Sequence, residues 1–301
     1  MGVPLVAPED ITAMFARVDE AKPDISAIRR RFPNRPYGED SRQAVDIYLP
    51  DEGQGPFPVV FYLHGGGWTG GARYDAQMAP FIKAINHGYA FVSIGYRLVP
   101  HVRYPDNLLD VRRALRWISD NAETYMLDTS RCALCGASAG GQLALMTAFT
   151  AGNPLFDDAP LSPACTIRAV VDQFAPTDFL KRPQHFDESG YPRADDPESD
   201  APDSADTLLG IRLKDAPHLA RFINPIDNVH PNVPPVFIMH GQYDPIIPYQ
   251  QSVELFEKIC KVAGAVRAEL WISDEFLHAD PGYAGVEGER RIFNFLDKHV
   301  L

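Results

Sequence analysis

Ser138 stands in Gly136-Ala137-Ser138-Ala139-Gly140, a G-x-S-x-G followed by Gly141. Small residues two positions to either side suit a turn at which a strand runs into a helix so closely that larger side chains would collide. Such a turn lifts a hydroxyl out of the sheet in a strained conformation, which suits a nucleophile; the bland alternative is a tight glycine turn with an incidental serine. His64-Gly65-Gly66-Gly67-Trp68 supplies a complementary feature. Acyl transfer builds negative charge on a former carbonyl oxygen, and bare backbone N–H donors must approach it. Gly66 and Gly67 are expected to supply two donors, and Ala139, just after the serine at a helix start, a third. A phosphate cradle is the rival reading of a glycine-rich turn, but the Gly-Lys-Ser/Thr ending of a P-loop is missing.

These residues need a frame, and the sequence alternates short β-rich runs with longer amphipathic segments, the pattern of a mostly parallel sheet with helices on both faces. Strands are predicted over Ala44–Leu49, Pro58–Leu63, Ala90–Tyr96, Arg131–Gly136, Ala169–Phe174, Pro235–His240 and Ala268–Ile272. Their cores (VVFYL, VFIM) are unbroken apolar runs, as strands buried on both faces require. Helical spacing marks Asp75–His87, Asp106–Tyr125, Ala139–Thr150, Tyr249–Ala263 and Gly285–His299. Near the start, Ile11, Met14, Phe15 and Val18 form a stripe that predicts a helix docking on the body. The stretch 181–232 is rich in Asp, Glu, Pro and Ser at its middle and reads as an insertion, either a solvated excursion or a lid. One domain over 1–301 is expected, with 1–43 and 181–232 forming a small cap.

In such a sheet, chemistry collects at the carboxyl ends of the strands. A serine needs a base, and a base needs an orienting acid. His278 follows the last strand, which makes it the choice for the base; His299 ends the final helix, and His64 and His240 each precede a glycine at a strand end and shape those turns. Asp244, after the preceding strand, is the preferred acid, with Asp274 and Asp280 as alternatives nearer His278 in sequence. The order Ser138, Asp244, His278 is that of the α/β-hydrolase fold, not of chymotrypsin-like or subtilisin-like enzymes. Trp68 is a candidate substrate contact. Cys132 and Cys135 form a C-x-x-C inside a strand, so they should face opposite sides of the sheet rather than share a metal.

With 301 residues, 45% hydrophobic and 23% charged, the chain has the composition of an ordinary globular protein. A net charge of −12 argues against broad binding to nucleic acid or anionic membranes. No apolar stretch approaches the roughly 20 residues of a membrane span, and the opening residues lack a signal-peptide pattern, which points to the cytoplasm. A homo-oligomer is compatible with all of this.

HGGGW, YRLVP, GASAGG, HGQYDPIIP and the His278 loop together resemble α/β-hydrolase carboxylesterases of the hormone-sensitive-lipase-like and lipase/acetylxylan-esterase-like branch, with kynurenine formamidases as relatives. The likeness runs from about Ala44 to the C-terminus. It implies a serine hydrolase of small esters without metal or cofactor, with Ser138, Asp244 and His278 as triad and Gly66, Gly67 and Ala139 as oxyanion hole. An arylformamidase and an exopeptidase of the same fold share that constellation, and so does a silent receptor except that it usually lacks a triad member. The sequence departs from the branch at Ala137, where an Asp is usual, at His101, and at Ala279 after the base, where many relatives have glycine.

Overall fold

The computed structural model describes residues 7–156, 158–194, 199 and 201–301. Among them, eight strands form one sheet: β1 (Arg31–Pro36), β2 (Ala44–Tyr48), β3 (Phe57–Leu63), β4 (Ala90–Ile94), β5 (Leu127–Ala137), β6 (Ile167–Gln173), β7 (Val236–Gly241) and β8 (Ala268–Ser273). The spatial order is β1-β2-β4-β3-β5-β6-β7-β8; β2 runs antiparallel to both its neighbours and every other pairing is parallel. All seven strands expected from the sequence are present.

Alternation along the strands feeds two cores. Val59, Phe61 and Leu63 of β3 join one, together with α3 (Asp106–Asp120), α4 (Ala139–Phe149) and α7 (Gln250–Ala263). Val60 and Tyr62 join the other, with the 76–87 segment and α8 (Val286–Val300). Cys132 belongs to the first core and Cys135 to the second, as a period of two requires. α4 is buried along its whole length, its polar Gln142 and Thr147 included, the state of a helix enclosed by protein on every side.

Two expectations are corrected. β1 was not anticipated, and it takes residues 31–36 of the 1–43 stretch out of any cap and into the sheet. Its sequence RFPNRP lacks apolar alternation because it is an exposed edge, where prolines are tolerated. The single helix expected over 75–87 is broken into a 3₁₀ turn capped by Asp75, a short α2 (Ala79–Ile82) and a second 3₁₀ turn ending at Gly88. Pro80 has no N–H to donate to the preceding turn, so it stands in the first turn of α2, where that donor is not needed, and the ladder is interrupted there. Within 181–232, read from the sequence as a solvated excursion or a lid, the structure has α5 (Arg182–Ser189), α6 (Ser204–Leu209) and two 3₁₀ turns; residues 195–198 and 200 of that stretch lie outside the described residues.

The N-terminal helix is α1 (Pro8–Glu20), with Met14 and Val18 buried; the Phe15 side chain lies outside the described residues. No helix among the described residues is long and apolar enough to cross a membrane.

Candidate active site

Ser138 caps α4 with φ 53° and ψ −120°, a conformation that non-glycine residues rarely adopt. Its N–H donates to the Gln173 carbonyl at the end of β6 (2.8 Å), and its own carbonyl accepts from Gln142 N (3.1 Å). The flanking glycines are sterically required. A Cβ at Gly136 would strike the Gly140 carbonyl, and one at Gly140 would strike the Leu63 carbonyl of β3. The N–H of Ala139 lies in the first turn of α4, where helical geometry leaves donors unused.

The turn after β3 is equally compressed. Gly66 and Gly67 have φ of 107° and 58°, and the Gly66 carbonyl accepts from Thr69 N (3.1 Å) and Gly70 N (2.9 Å). Gly65, Gly67 and Gly70 happen to satisfy G-x-G-x-x-G, yet this closed turn leads into an irregular stretch and the helix that would hold a pyrophosphate does not follow. The His64 ring stacks on Tyr96 (centroids 4.3 Å apart, 12° between planes) and its Nδ1 bonds the Gly65 carbonyl at 2.8 Å. Burial lowers the His64 pKa to about 4, so the ring is a neutral prop for the turn. Trp68 is buried, donates from Nε1 to Gln142 Oε1 (3.2 Å) and packs on Phe179 at 5.8 Å. It therefore ties this turn to α4.

Asp244 and His278 are brought together. His278 Nδ1 lies 2.6 Å from Asp244 Oδ2 and donates to it, which leaves Nε2 as the lone-pair nitrogen. Ile246 N and Ile247 N donate to Asp244 Oδ1 at 2.8 and 2.9 Å. Burial pushes the Asp244 carboxyl up, but the neighbouring His278 and His240 and the hydrogen bonds they donate outweigh it, so the group is held well below the ordinary carboxylate range. The His278 imidazole also contacts the Phe174 ring, with centroids 4.6 Å apart. Ser138 and His278 thus bear on consecutive residues, Gln173 and Phe174, where β6 ends. Among the described residues it is Asp244, not Asp274 or Asp280, that bonds His278, and Asp280 caps the following turn by accepting from Gly282 N at 2.8 Å.

Sequence reasoning missed the part played by His240. Its Nε2 faces two acceptors, Asp244 Oδ2 (3.2 Å) and the Ile247 carbonyl (2.9 Å), so it carries the proton; Nδ1 then accepts from the Ser252 hydroxyl at 2.6 Å. The available signal was the spacing, since a histidine four residues before the acid across a Gly-containing turn can fold back onto it. No group of His, Cys, Asp and Glu among the described residues is arranged to hold a metal ion.

Residues 45–259 match the BD-FAE family. The chain belongs to that family. Among relatives of this BD-FAE chain, esterase LipC of Mycobacterium tuberculosis is 29% identical over 86% of the chain and 63% of its own length, and esterase LipQ of the same organism is 28% identical over 81% and 56%. The chain therefore spans a little over half the length of these curated relatives. Versiconal hemiacetal acetate esterase of Dothistroma septosporum is 25% identical over 85% of the chain and 77% of its own length. Among solved structures, a truncated carbohydrate esterase from gut microbiota superposes with a TM-score of 0.79 at 24% identity, covering 92% of this chain and 98% of that one. Esterase B from Lactobacillus rhamnosis superposes at 0.74 and 21% identity, covering 96% of both chains. These likenesses make the BD-FAE chain an α/β-hydrolase in fold.

Proposed function

We propose that this protein is a serine carboxylesterase in which Ser138 is the nucleophile, His278 the general base and Asp244 its orienting acid. The observation that carries the reading is the 2.6 Å bond from His278 Nδ1 to the buried Asp244 carboxylate, because it fixes the tautomer whose Nε2 can take a proton. The strained Ser138 turn and the esterase names of several relatives support it.

In this mechanism Ser138 Oγ attacks the ester carbonyl carbon while its proton passes to His278 Nε2. The Asp244 anion stabilises the imidazolium, and the N–H groups of Gly66, Gly67 and Ala139 hold the oxyanion. Collapse breaks the carbon–oxygen bond of the leaving alcohol, which takes the proton from His278. Water then attacks the acyl-enzyme by the same relay, releasing the acid and free Ser138. Trp68, locked by Gln142 and Phe179, is a rigid wall on the oxyanion side rather than a mobile contact.

The 181–232 segment serves as a seated cap. Gln242 Nε2 donates to Tyr191 Oη (2.6 Å), Ala194 N to the Pro245 carbonyl (2.7 Å) and Arg182 to the Ile246 carbonyl (2.7 Å), so the segment grips the loop that bears Asp244.

A fluorophosphonate probe tests the assignment directly. The parent protein is expected to be labelled at Ser138 with loss of p-nitrophenyl acetate hydrolysis, and Ser138→Ala to lose labelling and hydrolysis together. Hydrolysis largely retained in folded Ser138→Ala refutes it.

A further inference from the structure

The C-x-x-C of β5 is not a pair in space, since Cys132 faces one core and Cys135 the other. The thiol that meets Cys132 is that of Cys165, in the turn leading into β6, and the two side chains are hydrogen-bonded to one another. Both belong to the same core. Backbone and side-chain bonds stitch the two segments together around them: Cys132 N donates to the Thr166 carbonyl at 3.1 Å, Thr166 N to the Thr129 carbonyl at 2.8 Å, and Thr129 Oγ1 to the Ala164 carbonyl at 3.0 Å. Thiols held in contact by fixed backbone on either side need no large chain movement to join, unlike cysteines set far apart.

The two thiols differ in ways that give them separate roles. Cys165 is 9% exposed and lines a cleft of about 720 Å³ at the amino ends of β6 and β7, so a small reagent reaches it from solvent. The bond from Cys132 favours the Cys165 thiolate and holds that thiol below its ordinary range. Cys132 has no exposed surface, and burial pushes its thiol up. It keeps its proton, which lies between the Thr129 carbonyl at 3.1 Å and the Cys165 sulfur. One sulfur is thus open to an oxidant, and the other stands directly behind it.

We infer that Cys165 and Cys132 form a redox-modification site, at which a hydroperoxide converts the two thiols to a disulfide. The Cys165 thiolate attacks one peroxide oxygen, the oxygen–oxygen bond breaks, and the displaced oxyanion leaves as water or alcohol with the proton that Cys165 gave up. Cys132 then attacks the resulting sulfenic sulfur, and the sulfenic hydroxyl leaves as water with the Cys132 proton. Two electrons have passed from the thiols to the peroxide, and a dithiol reductant reverses the change. The new bond fastens β5 to the turn before β6, the two strands whose far ends carry Ser138 and its Gln173 partner. Neither thiol takes part in the proposed hydrolysis, so this inference stands or falls apart from the esterase reading.

The test exposes the folded full chain to hydrogen peroxide, blocks remaining thiols with N-ethylmaleimide and cuts on the amino side of aspartate, which puts Cys132 and Cys135 in one peptide and Cys165 in another. Thiols counted in denaturant are expected to fall from four to two, with the two peptides joined by a bond that dithiothreitol breaks. Cys135→Ser should join to the same extent as the parent, and Cys132→Ser and Cys165→Ser should not join. Fragmentation of the joined peptides from the parent distinguishes Cys132 from Cys135 if a variant fails to fold. Four thiols retained after peroxide, a cross-link made through Cys135, or Cys165 driven on to sulfinic acid while Cys132 stays reduced would each overturn the pair.

Discussion

Replacing His240 with leucine removes one of the four donors that surround the Asp244 carboxylate, the others being His278 Nδ1, Ile246 N and Ile247 N. At 3.2 Å, with its proton shared with the Ile247 carbonyl, the lost bond belongs at the weak end of charged hydrogen bonds, about 1.5 kcal/mol. The change also strands the Ser252 hydroxyl, which now donates to Nδ1, and that adds roughly 1 kcal/mol. Stability measured by urea unfolding should fall by about 2 to 3 kcal/mol. If the lost bond is felt equally by the imidazolium that forms on His278, kcat for p-nitrophenyl acetate should drop about tenfold with KM little changed. Glutamine puts an N–H donor near the same place, so His240→Gln should recover most of the rate, whereas Asp244→Asn should fall much further than either. A folded His240→Leu protein whose kcat stays within twofold of the parent would refute the idea that His240 holds the acid in position.

Gly140→Ala should lose most activity and melt lower, by about 1 to 3 kcal/mol, because its methyl meets the backbone of β3 and no flexible side chain can yield; circular dichroism with an ester assay checks both. Asp172 is fully buried and burial raises its pKa from 3.8 to about 7, with Oδ2 lacking a partner. A raised carboxyl favours the fold below its unfolded value and loses that contribution as pH rises through its folded value, so parent stability should decline from about pH 4 to pH 7 relative to Asp172→Asn. The relative gain of Asp172→Asn at pH 8 is on the order of 4 kcal/mol, read from paired urea melts; a difference independent of pH would contradict the burial argument.

The parts legible in the sequence were those where one local rule acts alone. Buried strands show as VVFYL and VFIM because both faces are covered, and GASAG shows its turn because only small residues fit between β5 and α4. The order of Ser138, Asp244 and His278 followed from the places where strands end. What escaped depends on distant neighbours. β1 owes its existence to pairing with β2, not to its own residues, and its charged, proline-containing run carries no strand signature. The 75–87 segment has helical spacing, yet Pro80 breaks its ladder. The His240 bond to Asp244 depends on how residues 241–247 curl, which periodicity does not record. In the 181–232 stretch, the reciprocal capping of Asp203 and Asp206 was present as a local helix start, but acidic composition masked it.

α1 gives Val18 to the wall of a cavity of about 130 Å³ that Gly65 and Gly66 of the proposed oxyanion turn also line, and to that of a smaller one that Ala21, just beyond the helix, lines as well. A helix outside the sheet thus takes part in shaping the space next to the turn proposed to hold the oxyanion. Exchange of this one helix for that of a relative is therefore expected to reshape that space while leaving the proposed relay of Ser138, His278 and Asp244 in place.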